Sequence, residues 1–168
     1  HSLKIQKRSE GEFGKTTIHQ FVLSGSGRLA EEPAVRTRHI EFIGNSLTCG
    51  YGTDGKHRDE PFLVETENCN LTFASMVARY YDADYSLIAH SGRGAARNYG
   101  DSVRVSKVTM KDRMLNTFDE DLTHKWNFKG YLPDLVVINL GSNDFSTEPH
   151  PYKSEFTKAY KQILAQLR

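Results

Sequence analysis

A serine stands where an apolar, β-rich run breaks off, in Ile40-Glu-Phe-Ile-Gly-Asn-Ser46-Leu-Thr-Cys-Gly-Tyr-Gly52. A hydroxyl held at the end of a parallel strand lies at the carboxyl edge of a sheet, where α/β folds build their sites. Backbone N–H groups in such a turn can receive the oxyanion of an acyl-transfer reaction. The general nucleophile elbow is half matched: Gly44-Asn-Ser46 supplies G-x-S, and Thr48 occupies the place of the second glycine. A plain turn and a glycine-rich phosphate cradle are the alternatives, although neither G-x-G-x-x-G nor G-x-x-x-x-G-K-[ST] is present.

Two further segments end in the same way, an extended apolar stretch broken by glycine and small polar residues. They are Leu87-Ile-Ala-His-Ser-Gly92-Arg-Gly94 and Leu135-Val-Val-Ile-Asn-Leu-Gly141-Ser-Asn143-Asp144. In this order the three blocks resemble those of the SGNH (GDSL-type) hydrolases. More narrowly, Phe42 to Gly52, Ser91 to Asp101 and Val136 to Ser146 resemble carbohydrate esterase family 2, as do Lys7-Arg-Ser-Glu10 and Trp126-Asn-Phe128. Three ordered blocks are far more specific than any one of them. The resemblance implies that Ser46 is the nucleophile, with the Ser46 and Gly92 backbone N–H groups and the Asn143 side-chain amide holding the oxyanion. It implies a serine esterase (an acetylesterase or acetyl xylan esterase) that removes O-acetyl groups from plant cell-wall xylan or glucomannan. Its partner would be an acetylated oligo- or polysaccharide, its location secreted or periplasmic, and it would need no cofactor and no metal.

A serine hydroxyl is a poor nucleophile at neutral pH and needs a base, usually histidine. The family draws that histidine from an Asp-x-x-His-type block well after the asparagine block, and the 25 residues after Asn143 contain none. The expectation is therefore a chain truncated at its C-terminus, with the histidine beyond Arg168. Asp54-Gly-Lys-His57 and Asp121-Leu-Thr-His124 match D-x-x-H by letter but precede the asparagine block, so His57 reads as a loop residue and His124 as a surface one. His150, between two prolines, is the nearest stand-in. His90 should face away from the oxyanion glycine by the strand period, and His1, His19 and His39 lie in or beside the β-rich start. No H-x-x-x-H, H-E-x-x-H or CxxC suggests a metal. Asp144 is expected to brace its loop, Arg93 and Arg97 to be solvated, and Tyr51, Tyr99 and Trp126 to be core aromatics rather than sugar-stacking ones. Two rival functions remain: an incomplete domain that is inactive or only binds carbohydrate, and a general small-ester or lipid esterase.

The elements that must position these residues follow from periodicity. From about residue 35 the pattern alternates strand and helix, which predicts a parallel sheet covered by helices. Strands are expected at 39–43, at 84–89 and at 135–140, the last apolar enough to be central and buried on both faces. Helices are expected at 71–81, capped by Asn70 and burying Leu71, Ala74, Val77, Ala78 and Tyr81, and somewhere within 103–118. A last helix at 152–167 would bury Phe156, Ala159, Tyr160, Ile163, Leu164 and Leu167. The fold class is α/β, and the resemblance implies a three-layer αβα SGNH domain over residues 35–168, its sheet incomplete at the C-terminus. Before it, Leu3 and Ile5 alternate with Lys4 and Gln6, and 17–23 is extended, with Gly11 and Gly14 between them and a linker at Ser24 to Gly27 and Glu31 to Pro33. These read as antiparallel strands. The resemblance makes residues 1–34 the final strands of a jelly-roll-like β-sandwich.

The whole chain sets the outer bounds. Its 168 residues suit one domain of ordinary size, and 22 Lys plus Arg against 21 Asp plus Glu leave a net charge of +1. That balance gives no field to draw the protein to nucleic acid or an anionic membrane. No apolar run reaches the ~20 residues of a membrane span and no signal peptide is visible. The first residue is His1 rather than methionine, which suggests a removed leader or a piece of something longer. Cys49 and Cys69 are expected as free thiols, Asn70-Leu-Thr72 is a glycosylation sequon, and a complete domain should be a monomer.

Overall fold

The computed structural model describes residues 3–31, 34, 36–129 and 131–167. Its elements, in chain order, are β1 (His39–Gly44), α1 (Ser46–Cys49), α2 (Phe73–Tyr80), β2 (Asp84–Ala89), α3 (Met110–Arg113), β3 (Leu135–Ile138) and α4 (Lys153–Gln166). The strands form one parallel sheet in the order β2-β1-β3. Gly44 lies opposite Ala89, and Ile43 opposite both Ile88 and Ile138. Parallel strands need crossovers, and α2 supplies the one between β1 and β2.

Side chains alternate across β1 and so feed two cores. Ile40 and Phe42 pack with Ala74, Ala78 and Ala83 beneath α2, while Ile43 packs with Ala95, Met110, Met114 and Ile163 beneath α3 and α4. The result is three layers, helix on sheet on helix. Every residue of β1 is buried, whereas Leu135 in β3 is 53% exposed. The expectation that 135–140 is the central strand is thus corrected, since among the described residues β3 lies at an edge. The polar residues His39 and Glu41 hid the central place of β1. His39 is accommodated through its Nε2, 3.1 Å from Ser86 Oγ, and through ring contact with Tyr131 at 3.8 Å.

The helices hold with shifted details. Thr72, not Asn70, caps α2 by accepting from Ser75 N–H at 3.3 Å. Asn70 is taken up instead by a 3-10 turn at Cys69–Leu71, where the Asn68 side chain accepts from its N–H. The buried face of α2 is narrow and made of Ala74, Ser75 and Ala78, so Leu71, Val77 and Tyr81 stay exposed on its flanks. Small residues let the helix approach the sheet closely, which leaves the larger ones no room beneath it. In α4, Ala159 and Ile163 are buried, Phe156, Tyr160 and Leu167 pack partly against them, and Leu164 is 50% exposed.

The N-terminal strands are not observed. Among the described residues before His39 there is a 3-10 turn at Gly11–Phe13 and no strand. Two strands alone are marginal, and here the backbone finds other partners: Arg8 C=O accepts from Cys69 N–H at 3.0 Å, and the Arg8 guanidinium pairs with Asp54 at 2.6 Å. His1, Glu32 and Pro33 of that expectation, and Arg168, lie outside the described residues.

Candidate active site

The register brings the carboxyl ends of all three strands together, with Asn139 N–H donating to Ile43 C=O at 2.8 Å just past the last paired residues. Ser46, Gly92 and Asn143 follow on the three turns that leave this edge. Ser46 opens the single turn α1, which Asn45 caps by accepting from Leu47 N–H at 3.2 Å. A Cβ on Gly44 would lie 2.0 Å from Thr48 Oγ1, so Thr48 fits the serine turn only because residue 44 is glycine. Gly92 has φ +72°, a conformation that side-chain-bearing residues avoid.

Hydrogen bonds then lock the turns to one another. Asn45 Nδ2 donates to Ser142 Oγ at 2.8 Å, and Asn143 Nδ2 donates to Arg93 C=O at 2.8 Å. Asp144, fully buried, accepts from the N–H groups of Ala95, Ala96 and Arg97 at 3.0, 2.7 and 2.9 Å. It braces its loop as expected. Among the described residues the Ser46 and Gly92 N–H groups have no protein acceptor, and the Asn143 amide has a second N–H to give. The turns thus leave backbone N–H groups without a protein acceptor at this sheet edge.

No histidine among the described residues hydrogen-bonds to the Ser46 hydroxyl. His124 is exposed and paired with Asp121, His57 is an exposed loop residue, and His150 Nδ1 lies 3.3 Å from Glu148 Oε1. His90 is buried and its Nδ1 lies 3.0 Å from Glu10 Oε2, on the N-terminal segment.

Other side chains depart from expectation. Arg97 is fully buried, not solvated: it donates to Val103 C=O at 3.1 Å, Thr147 Oγ1 at 2.9 Å and the carbonyls of Asp101 and Glu148. Tyr51, Tyr99 and Trp126 are 49%, 62% and 43% exposed rather than core. Tyr51 stacks on Phe62, ring centroids 3.8 Å apart, and its N–H donates to Ser46 C=O. An open aromatic face thus adjoins the serine turn.

Sequence reasoning missed a buried polar cluster behind the turns. Glu10 Oε2 accepts from Ser91 N–H at 2.7 Å and is 3.5 Å from Cys49 Sγ, and Glu67 Oε2 accepts from Glu10 N–H at 3.3 Å. Burial would push the Glu10 carboxyl up, but the hydrogen bonds from His90 and Ser91 outweigh it and hold the group well below the usual range. Burial, followed by repulsion from Glu10, pushes Glu67 up to about 7. Cys49 and Cys69 are free thiols. The one signal in the sequence was the Lys7 to Glu10 stretch, which gave no hint of what Glu10 would touch.

The GDSL-like lipase/acylhydrolase family model matches residues 42–168. Over 168 residues the chain is 38% identical to the cellulase/esterase CelE of Acetivibrio thermocellus, covering all of this chain and 20% of that protein. It is 36% identical over 150 residues to an acetylxylan esterase / glucomannan deacetylase of Cellvibrio japonicus, covering 88% of this chain and 40% of that one. Its fold is similar to that of a family two carbohydrate esterase from Clostridium thermocellum in complex with cellohexaose, with TM-score 0.78, 39% identity and coverage of 86% and 43%. The chain spans less than half the length of each of these relatives.

Proposed function

This chain belongs to the GDSL-like lipase/acylhydrolase family, and we propose that its three turns form the acylation site of a serine esterase that removes O-acetyl groups from plant cell-wall xylan or glucomannan. The reading is supported by the strand register, which brings the three turns that carry Ser46, Gly92 and Asn143 to one sheet edge, and by the lack of a protein partner for the Ser46 and Gly92 N–H groups among the described residues. Ser46 Oγ attacks the acetyl carbonyl and its proton passes to a base. The carbonyl oxygen becomes the oxyanion and is met by the three donors. Collapse of the tetrahedral intermediate expels the protonated sugar hydroxyl and leaves an acetyl-enzyme, which water hydrolyses to acetate by the same steps. The open Tyr51–Phe62 face supports a sugar ring as the alcohol, since sugars stack on exposed aromatic rings. Two relatives named for xylan and glucomannan deacetylation support the substrate class. A wall polysaccharide as substrate supports a secreted or periplasmic protein, and no helix among the described residues is long and apolar enough to cross a membrane.

Acetate release from acetylated xylan and glucomannan oligosaccharides tests the proposal. Release should vanish in Ser46→Ala, and in Asn143→Ala it should fall about 10²- to 10³-fold with the fold intact. Undiminished release from either variant would overturn the assignment.

A second reading, carbohydrate binding without turnover, is favoured by the absence of any described histidine bonded to Ser46. It predicts no acetate from the chain or its variants, with cello-oligosaccharides still bound and the binding weakened by Tyr51→Ala.

A further inference from the structure

His90 ends the stretch that leads from β2 into the Gly92 turn, and its ring is 3% exposed. Nδ1 is satisfied by Glu10, but the buried Nε2 has no hydrogen-bond partner. Two carboxylates of the loop after α3 face that nitrogen, with Asp119 Oδ2 at 3.8 Å and Glu120 Oε1 at 3.6 Å. Both distances are too long for a hydrogen bond. Asp119 Oδ2 is itself buried without a partner. Buried polar atoms are rarely left so, and here two of them confront each other across one gap.

The gap has the size of an ion. Metal–nitrogen and metal–oxygen bonds of roughly 2.0–2.2 Å set tetrahedral ligand atoms about 3.3–3.6 Å apart, so the observed spacings need close by only a few tenths of an ångström. A direct hydrogen bond would need a closure of about 0.4–0.6 Å and could satisfy only one of the two carboxylates. The three ligand atoms also lie within 4.8 Å of one another. We propose that His90 Nε2, Asp119 Oδ2 and Glu120 Oε1 form a divalent-cation site suited to zinc.

The surroundings support the ion. Glu10 at Nδ1 favours the tautomer that carries its proton there, which leaves the Nε2 lone pair for a metal, the carboxylate–histidine–metal relay of known sites. Arg113 Nη1 and Nη2 hold Glu120 at 3.0 and 3.1 Å and orient its carboxylate, while Oε1 keeps a further lone pair. Glu10, Glu12, Asp119 and Glu120 all lie within 4 Å of the ring, and among the described residues they outnumber the cations beside them, the Arg113 guanidinium and the Lys7 ammonium that donates to Glu10 C=O. A cavity of about 430 Å³, lined in part by Gly11, Ile88, Arg113 and Asp119, adjoins the site and can supply water for a fourth position. Gly11 is required beside it, because a Cβ there would lie 2.6 Å from Asp119 Cβ. The ion would join the N-terminal segment, the end of β2 and the 113–120 loop, and its role is structural. The proposal stands whether or not Ser46 is a nucleophile.

The test uses the whole chain, stripped with a chelator and titrated with zinc, manganese or calcium ions. Calorimetry should give one zinc per chain, and hundredfold excess over the dissociation constant should raise the melting temperature by about 5–10 °C. Asp119→Asn keeps the shape and should weaken zinc binding more than tenfold. Glu120→Gln, at a largely exposed side chain, should weaken it too and does not threaten the fold. Cys49→Ala should leave zinc binding intact. The proposal is overturned if the folded chain takes up no zinc, if uptake survives in both carboxylate variants, or if it is lost in Cys49→Ala, which would place the ion at the Glu10–Cys49–Glu67 cluster.

Discussion

Glu67 is a fully buried carboxyl beside a second one, and its raised pKa makes stability depend on pH. From its ordinary value of 4.5 up to about 7 the folded state keeps a proton that the unfolded state has lost. Stability must therefore fall as pH rises through that window, with the full cost present above 7. Thermal unfolding should show a lower midpoint at pH 8 than at pH 5. Glu67→Gln should flatten the difference and raise the midpoint at pH 8, because an amide oxygen can accept from Glu10 N–H while the side chain stays neutral at any pH. An unchanged slope in that variant would show that another group sets it. The Asp144 carboxylate is held by three backbone N–H groups. Asp144→Asn would turn an NH₂ toward peptide N–H groups that now meet a carboxylate, and should cost about 2–3 kcal/mol in urea unfolding.

At the scale of elements, α4 grips the sheet through few residues. Ile163→Ala should cost about 2–5 kcal/mol, and Leu164→Ala, one position on and half exposed, less than about 0.5 kcal/mol, both read from urea midpoints. That contrast marks what a sequence reveals and what it hides. β2 and α4 were legible to within a residue because their periodicity is local, and the three turns were legible because glycine and small polar residues punctuate strand ends. The strand order was not, since a run of apolar residues does not say which neighbours it acquires. The alternation of Leu3 and Ile5 with polar residues has no strand to match it among the described residues, where Arg8 C=O accepts from Cys69 N–H. Buried charges were the least legible of all. Arg97 meets Thr147 across 50 positions and Glu10 meets Ser91 across 81, and no local pattern encodes such meetings.

Taken whole, the molecule carries apolar surface that nothing described covers. No described strand pairs with the outer edge of β3, and Leu135, Leu3, Val22 and Leu29 are all at least half exposed. Open edges and apolar patches promote association. Light scattering across a concentration series should show the mean mass of this 168-residue chain rising with concentration, and charged substitution of Leu135 should reduce the effect. A constant monomer mass would mean that the edge is inert. The carboxylate of Asp144, with its three N–H partners, has a different bearing. It ties the turn that carries Asn143 to the stretch just past Gly92, and neither residue of the aromatic wall, Tyr51 or Phe62, takes part in the hydrogen bonds of that joint. On the esterase reading, what the enzyme admits and how it meets charge are built from separable parts. The wall can drift toward another glycan while the joint keeps the donors in step, so new specificity can arise without the reaction being learned again.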